Sequence, residues 1–147
     1  MKKCNLKKIV SSILLLWAII NFISVIGTMI QVALCKNRYT YFILFKNKKL
    51  VIDEPINKNI SAGIAFSEAT LDLRQATLLQ QTIVLDLFAS YCSLRILVPE
   101  NWVVEENGLV ILGEFKNSTK KEALTQKSPI LKINHHIRFG QVEVVNS

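Results

Sequence analysis

The first 49 residues contain no aspartate or glutamate, although they carry nine lysines or arginines (Lys2, Lys3, Lys7, Lys8, Lys36, Arg38, Lys46, Lys48 and Lys49). Residues 50 to 147 reverse the balance, with nine bases against eleven acids and a net charge of −2. The overall charge of +7 is therefore concentrated around an uncharged hydrophobic run, where anionic lipid headgroups would meet it. That placement excludes a basic nucleic-acid-binding face on the rest of the chain, and no nucleic-acid partner is expected.

Cysteine and histidine are also scarce. Cys4, Cys35 and Cys92 are an odd number without C-x-x-C spacing, which supports neither a disulfide framework nor a zinc site. Two of them bracket the hydrophobic run, and Cys92 reads as a small core residue. His135 and His136 are the only histidines. Adjacent residues of a strand point to opposite faces, so the two cannot share a metal without a bulge. The G-x-S-x-G, Walker and H-E-x-x-H spacings are missing. Acids are scattered; Asp72 and Arg74 could share one face of a strand, and an exposed pair of that kind is worth ~0–1 kcal/mol. These absences leave no residue set for catalysis, and neither an enzymatic activity, a metal nor a cofactor is expected.

What the chain does have is Ile9 to Cys35, 27 residues without a charge. As a helix this run would extend roughly 40 Å, more than the ~30 Å hydrocarbon core of a bilayer. A cleaved signal peptide usually has an apolar segment of only ~7–15 residues and a small-residue cleavage site. An uncleaved, single-pass membrane anchor is the reading that length favours. Bases flank both ends, so the charge rule does not orient it. A short basic N-terminus usually stays cytoplasmic, which would put the rest of the chain outside. Asn21 and Gln31 within the span could hydrogen-bond across a helix pair, or be tolerated singly.

Beyond the anchor, residues 36–59 read as a juxtamembrane linker rich in aromatics and bases. Its turn-forming Asp53-Glu54-Pro55 and Asn57-Lys58-Asn59 mark a boundary. From residue 60 the chain alternates short β-prone runs with turns: "TIVLDLF" (82–88), "SLRILV" (93–98), "GLVILGEF" (108–115), "PILKIN" (129–134) and "GQVEVV" (140–145). Only 70–81 and 120–126 could carry a helical turn.

One pattern recurs: a bulky residue, a small one, then a short alternation. It starts at Phe66, Tyr91, Leu112 and Phe139, with Ser67, Cys92, Gly113 and Gly140 following, at spacings of 25, 21 and 27 residues. Repeats of this length suit a coil of parallel strands whose bulky residues stack turn upon turn, the small residue allowing the corner. Pro99 would end a strand where its missing N–H breaks no ladder bond. Trp102 would fill the core beside it. The expected fold is mainly β: a right-handed parallel β-helix-like solenoid of about four short coils behind one transmembrane α-helix, with a β-sandwich as the alternative.

The elements "LDLRQA" (71–76), "SLRILVPENWVV" (93–104), Leu112-Gly113 and "FGQVEVV" (139–145) resemble the C-terminal domain of LiaF-type cell-wall-stress-response proteins. Members carry a D-L-R-x-A element, an aromatic-Gly-x-V repeat and a V-P-x-x-W/V-x-V turn. The resemblance covers residues 60–147. It implies a bacterial membrane protein that modulates a histidine kinase sensing envelope damage. Two departures stand out: relatives carry several membrane helices against one here, and Ser67 and Cys92 stand where the repeat has glycine.

The expected organisation is therefore a basic N-terminus (1–8), a transmembrane helix (9–35), the linker (36–59) and a LiaF-like β domain (60–147). The expected role is a non-enzymatic regulatory or interaction module at the cell membrane. Its partners would be the lipid bilayer and a histidine kinase or other envelope protein. The alternative is a tethered scaffold whose open coil ends self-associate into a homo-oligomer.

Overall fold

A computed structural model describes residues 2–119 and 127–146, with side chains at 2–5, 35 and 36 excepted. The thiols of Cys4 and Cys35 and the helical turn expected at 120–126 fall outside that description. The chain divides into two units, residues 1–35 and 36–147. Its coarse expectation, a mainly β chain behind one apolar helix, is met.

Helix α1 spans Lys2–Cys35. Its segment Leu6–Leu34, 29 residues of mean hydropathy 2.5, is long and apolar enough to cross a membrane. Several polar side chains within it find partners on their own helix. Ser12 Oγ donates to the Lys8 carbonyl (2.8 Å), Asn21 Nδ2 to Trp17 (2.7 Å) and Thr28 Oγ1 to Ser24 (2.9 Å). Such back-bonding satisfies these polar groups without a partner from outside the helix.

The described residues of the second unit hold twelve strands. Five of them, β1 (Tyr41–Leu44), β4 (Ile60–Ala65), β7 (Thr82–Ser90), β9 (Val103–Ile111) and β11 (Ile130–Arg138), form one sheet in the order β1-β4-β7-β11-β9. Another five form a second sheet. They are β2 (Lys48–Val51), β5 (Glu68–Asp72), β8 (Ser93–Val98), β10 (Glu114–Asn117) and β12 (Gln141–Asn146), in the matching order β2-β5-β8-β12-β10. A short pair, β3 (Pro55–Ile56) with β6 (Thr77–Leu78), makes a third face. Every pairing in the three sheets is parallel, unlike the hairpin layers of a β-sandwich. Both large sheets are open, so the molecule consists of five tiers, each a strand, a corner and a second strand.

Inward positions alternate along each strand as a period of two requires. In β11, Leu131, Ile133 and Ile137 are fully buried while Lys132, Asn134 and His136 face out. In β8 the buried positions are Leu94, Ile96 and Val98. One continuous core links these with Leu71, Leu73, Ile83, Leu85 and Trp102.

Three expectations are corrected here. Residues 36–59 are not a linker, because β1 and β2 pair with β4 and β5 as a first tier. Tyr41-Phe42-Ile43-Leu44 is a short apolar strand with Ile43 buried, and the polar break at 53–59 lies within the stack, with β3 in it. Residues 70–81 form no helical turn; they hold the end of β5, a tight turn and β6. Tier order also departs from chain order. The tier of β9–β10 lies outermost, and β11–β12, last in sequence, fills the place between it and β7–β8.

Candidate functional site: the corner ladder and its groove

Each tier passes from one large sheet to the other through a bulky residue and its successor. Those bulky residues are, among the described residues, the five non-glycine residues with left-handed backbone: Phe45 (φ 52°), Phe66 (49°), Tyr91 (49°), Leu112 (52°) and Phe139 (52°). This amends the expected division of labour, since the bulky residue rather than the small one makes the turn. The conformation costs an L-residue ~1–2 kcal/mol.

Stacking and hydrogen bonding offset that cost. Ring centroids lie 5.1 Å apart for Phe45–Phe66, 5.1 Å for Phe66–Tyr91 and 4.8 Å for Tyr91–Phe139, all near parallel. The backbone ladder continues through the bend. The Phe66, Tyr91 and Phe139 N–H groups donate to the carbonyls of Ser90 (3.0 Å), Arg138 (2.9 Å) and Ile111 (3.0 Å). Just past the bend, Ser93, Gln141 and Glu114 N–H donate to Ser67 (3.1 Å), Cys92 (2.9 Å) and Gly140 (2.9 Å). Aromatic pairs contribute ~0.5–1.5 kcal/mol each and net hydrogen bonds about the same. Two bonds and a ring contact outweigh the strain wherever a tier has neighbours on both sides.

The small second residue has a different task. A Cβ on Gly140 would sit 2.9 Å from the Cys92 carbonyl oxygen, and one on Gly113 would collide with the Gly140 carbonyl. Close approach of neighbouring tiers demands glycine at these two positions. At Ser67 the hydroxyl uses the space, accepting from Lys46 N–H (3.2 Å) and donating to the Ala65 carbonyl (2.8 Å). Burial pushes the Cys92 thiol up to about 11, which favours the protonated thiol at neutral pH.

The ladder runs Phe45–Phe66–Tyr91–Phe139, with Leu112 beyond Phe139 rather than between it and Tyr91 as sequence order suggests. Phe45, read as a linker aromatic, is its first member. The following residue, Lys46, is not small, which hid Phe45 from the pattern; the apolar run "YFIL" ahead of it was the available signal. Beside the ladder lies a shallow open groove of about 750 Å³ running across the tiers. Phe66, Tyr91 and Phe139 line it, with Cys92 and Gly140 beneath and Gln141 adding a polar edge.

The opposite corner explains two sequence elements. Asp72 is only 4% exposed, not the surface residue expected. Its carboxylate takes a fork from Arg74 (Nε 2.8 Å, a terminal guanidinium nitrogen 2.7 Å), with Lys49 Nζ at 3.3 Å. Hydrogen bonding from Arg74 holds its carboxyl well below the usual range, against the opposing effect of burial. Leu73, between them, is fully buried, and Ala76 N–H closes the turn onto its carbonyl (3.0 Å). One tier on, Trp102 N–H donates to the Pro99 carbonyl (3.2 Å), which also accepts from Asn146 Nδ2 (3.1 Å). Trp102 is buried at 2% exposure.

His135 and His136 take opposite faces. His136 is exposed and stacks on Phe88 (6.0 Å). His135 is buried against Phe115 (4.2 Å), with Glu106 Oε2 3.7 Å from its Nε2. Burial pulls its pKa down, and Glu106 and the Leu109 backbone oppose that. Sequence reading also missed a second aromatic row, in which Tyr39 covers Gly63 and stacks on Phe42 (6.4 Å) and Phe88 (6.3 Å). Among the described residues no three His, Cys, Asp or Glu side chains gather as a metal site. Comparison of the whole chain with known proteins matches no family model, no curated protein and no solved structure.

Proposed function

We propose that this chain is a membrane-anchored interaction module without catalytic chemistry. The helix holds a right-handed parallel β-solenoid of five coils at the bilayer, on its extracytoplasmic side. The groove along the corner ladder is its docking surface. The observation that carries this reading is the pairing of an apolar 29-residue span with a rigid ladder edge. The strand-pairing pattern supports the solenoid. The likeness of 60–147 to LiaF-type C-terminal domains supports a role in envelope-stress signalling, with a sensor histidine kinase as partner.

Such a module acts by differential affinity. A binder with equal affinity for both kinase states shifts neither, and a tenfold difference corresponds to ~1.4 kcal/mol. Tagged full-length chain, cross-linked in membranes and purified, should retain a kinase or other envelope protein. Gln141→Arg, which places a large cation in the groove, should release it while leaving thermal unfolding unchanged. Retention of no envelope protein by correctly inserted chain would sink the proposal. A reporter fused after residue 147 and active only in the cytoplasm would overturn the orientation.

A self-associating scaffold is the second reading, favoured by one observation. β9 and β10 are outermost strands, and Leu109 and Leu112 on that tier are 51% and 74% exposed. Open strand edges are templates for pairing.

A further inference from the structure

The last segment of the chain does not extend the stack; it completes a gap within it. β11 pairs with β7 at nine positions, Ile130↔Thr82 to Arg138↔Ser90, and with β9 at nine more, Ile130↔Val103 to Arg138↔Ile111. β12 likewise lies between β8 and β10. Among the described residues β9 and β10 have no other neighbour in their sheets. The outermost tier is therefore tied to the stack by strands that follow it in the chain. At the corner, Phe139 stacks directly on Tyr91 and its N–H reaches Ile111.

Chain order makes this consequential. The link from β8 to β9 is residues 99–102, so the chain passes the empty place in four residues. During synthesis β7 and β8 present open edges until residues 130–146 arrive, and domains fold as their chain emerges. Those edges recognise a strand–corner–strand segment with inward Leu131, Ile133 and Ile137, an aromatic pivot and a following glycine. A second copy of this chain carries the same segment. Residues 118–129 separate β10 from β11, twelve positions that can extend roughly 40 Å. Anchoring copies in one membrane raises their effective concentration.

We infer that residues 130–146 form an exchangeable insert, and that the gap between β7–β8 and β9–β10 accepts the insert of a second copy. The product is a segment-swapped dimer in which each chain's gap is filled by its partner. It differs from association through the outer edge of β9, because the exchanged strand ends up inside the stack. It does not depend on the kinase reading.

The register supplies the test. Asn134 lies opposite Asp86, with Nδ2 3.0 Å from Oδ1. Full-length chains with Cys4, Cys35 and Cys92 replaced by Ser are made as Asp86→Cys under one tag and Asn134→Cys under another. They are co-expressed in membranes, oxidised and run without reductant. A disulfide joining the two tags is expected, and it should be absent when Asn134→Cys is exchanged for Lys116→Cys on the outermost tier. The double variant Asp86→Cys/Asn134→Cys in one chain reports the unexchanged form. If the double variant closes its own disulfide while the co-expressed pair gives none, the insert stays in its own chain and the proposal is overturned. If neither disulfide forms, the β7–β11 register is wrong and the proposal fails with it.

Discussion

The tiers β11–β12 and β9–β10 both begin with a nine-residue strand yet differ sharply in how far that strand is buried. Along β11 the inward residues Leu131, Ile133 and Ile137 are completely buried. Their partners in register on β9 are Val104, Glu106 and Val110, of which only Val104 is buried. A strand flanked on both sides buries its inward face, whereas an outermost strand keeps one side open and tolerates a charge there. Glu106 facing inward also blunts the open edge against indiscriminate pairing. Position in the stack, rather than local apolar content, sets how much each residue stabilises.

The largest expected effect tests this contrast in the core. Ile133→Ala should lower unfolding free energy by ~2–5 kcal/mol, the usual cost of truncating a fully buried aliphatic side chain. Val110→Ala should cost less than ~1 kcal/mol, because its site can relax outward. Denaturant unfolding of the full chain in detergent, read from the buried Trp102 in a Trp17→Phe background, measures both. Equal losses would break the contrast.

The corner gives a narrower version. Gly140 is squeezed between Cys92 and Gly113, so Gly140→Ala should cost ~1–3 kcal/mol by overpacking. Gly113→Ala would meet the Gly140 carbonyl even more closely than Gly140→Ala meets Cys92, but its tier lies at the edge of the stack and can move away, so the loss should be smaller. A larger loss at Gly113 would mean that the outer tier is held as rigidly as the inner one.

A smaller, pH-dependent effect belongs to His135, where the two tiers meet. Burial depresses its pKa in the fold, so below its ordinary value of about 6.5 the unfolded chain binds the proton more readily. The stability His135 leaves intact above that value should fall as pH drops through and below it, until the folded histidine also protonates. Glu106, facing it from β9, limits the loss, and Phe115 and Leu87 on the other neighbouring strands carry no charge. His135→Phe should flatten that part of the stability profile measured from about pH 7 downward. An unchanged slope would assign the acid sensitivity to another group.

Much of this was legible in the residues, and what was not has identifiable causes. The pivots Phe66, Tyr91, Leu112 and Phe139 could be located because a bulky-then-small pair recurs. Phe45 escaped because Lys46, on the first tier, has no earlier tier to approach and need not be small. The buried Asp72 escaped because D-L-R spacing shows a pair but not the Lys49 stem and turn that enclose it. Tier order was beyond reach: nothing in "ILGEF" or "FGQVEV" specifies that the later segment lies inside the earlier one. A parallel ladder uses the same alternation wherever it is inserted.

The least effect is expected at Leu112, and its sign is what matters. Phe66 and Tyr91 offset their left-handed backbone with ring contacts on both sides, and Phe139 with one ring contact, each helped by ladder bonds. Leu112 has the same φ of 52° but no ring and only one neighbouring tier, and it is 74% exposed. The strain there is offset by little. Asparagine visits this conformation at lower cost, because its short polar side chain hydrogen-bonds locally. It also avoids glycine's extra freedom in the unfolded chain. Leu112→Asn should therefore raise unfolding free energy by ~0.5–1 kcal/mol, whereas Tyr91→Asn, with the same backbone and two ring neighbours, should lower it. Opposite signs for one substitution at two equivalent corners would show that stacking, not backbone preference, holds the inner ladder. Loss of stability at both positions would instead mean that the Leu112 side chain is packed against something outside this chain.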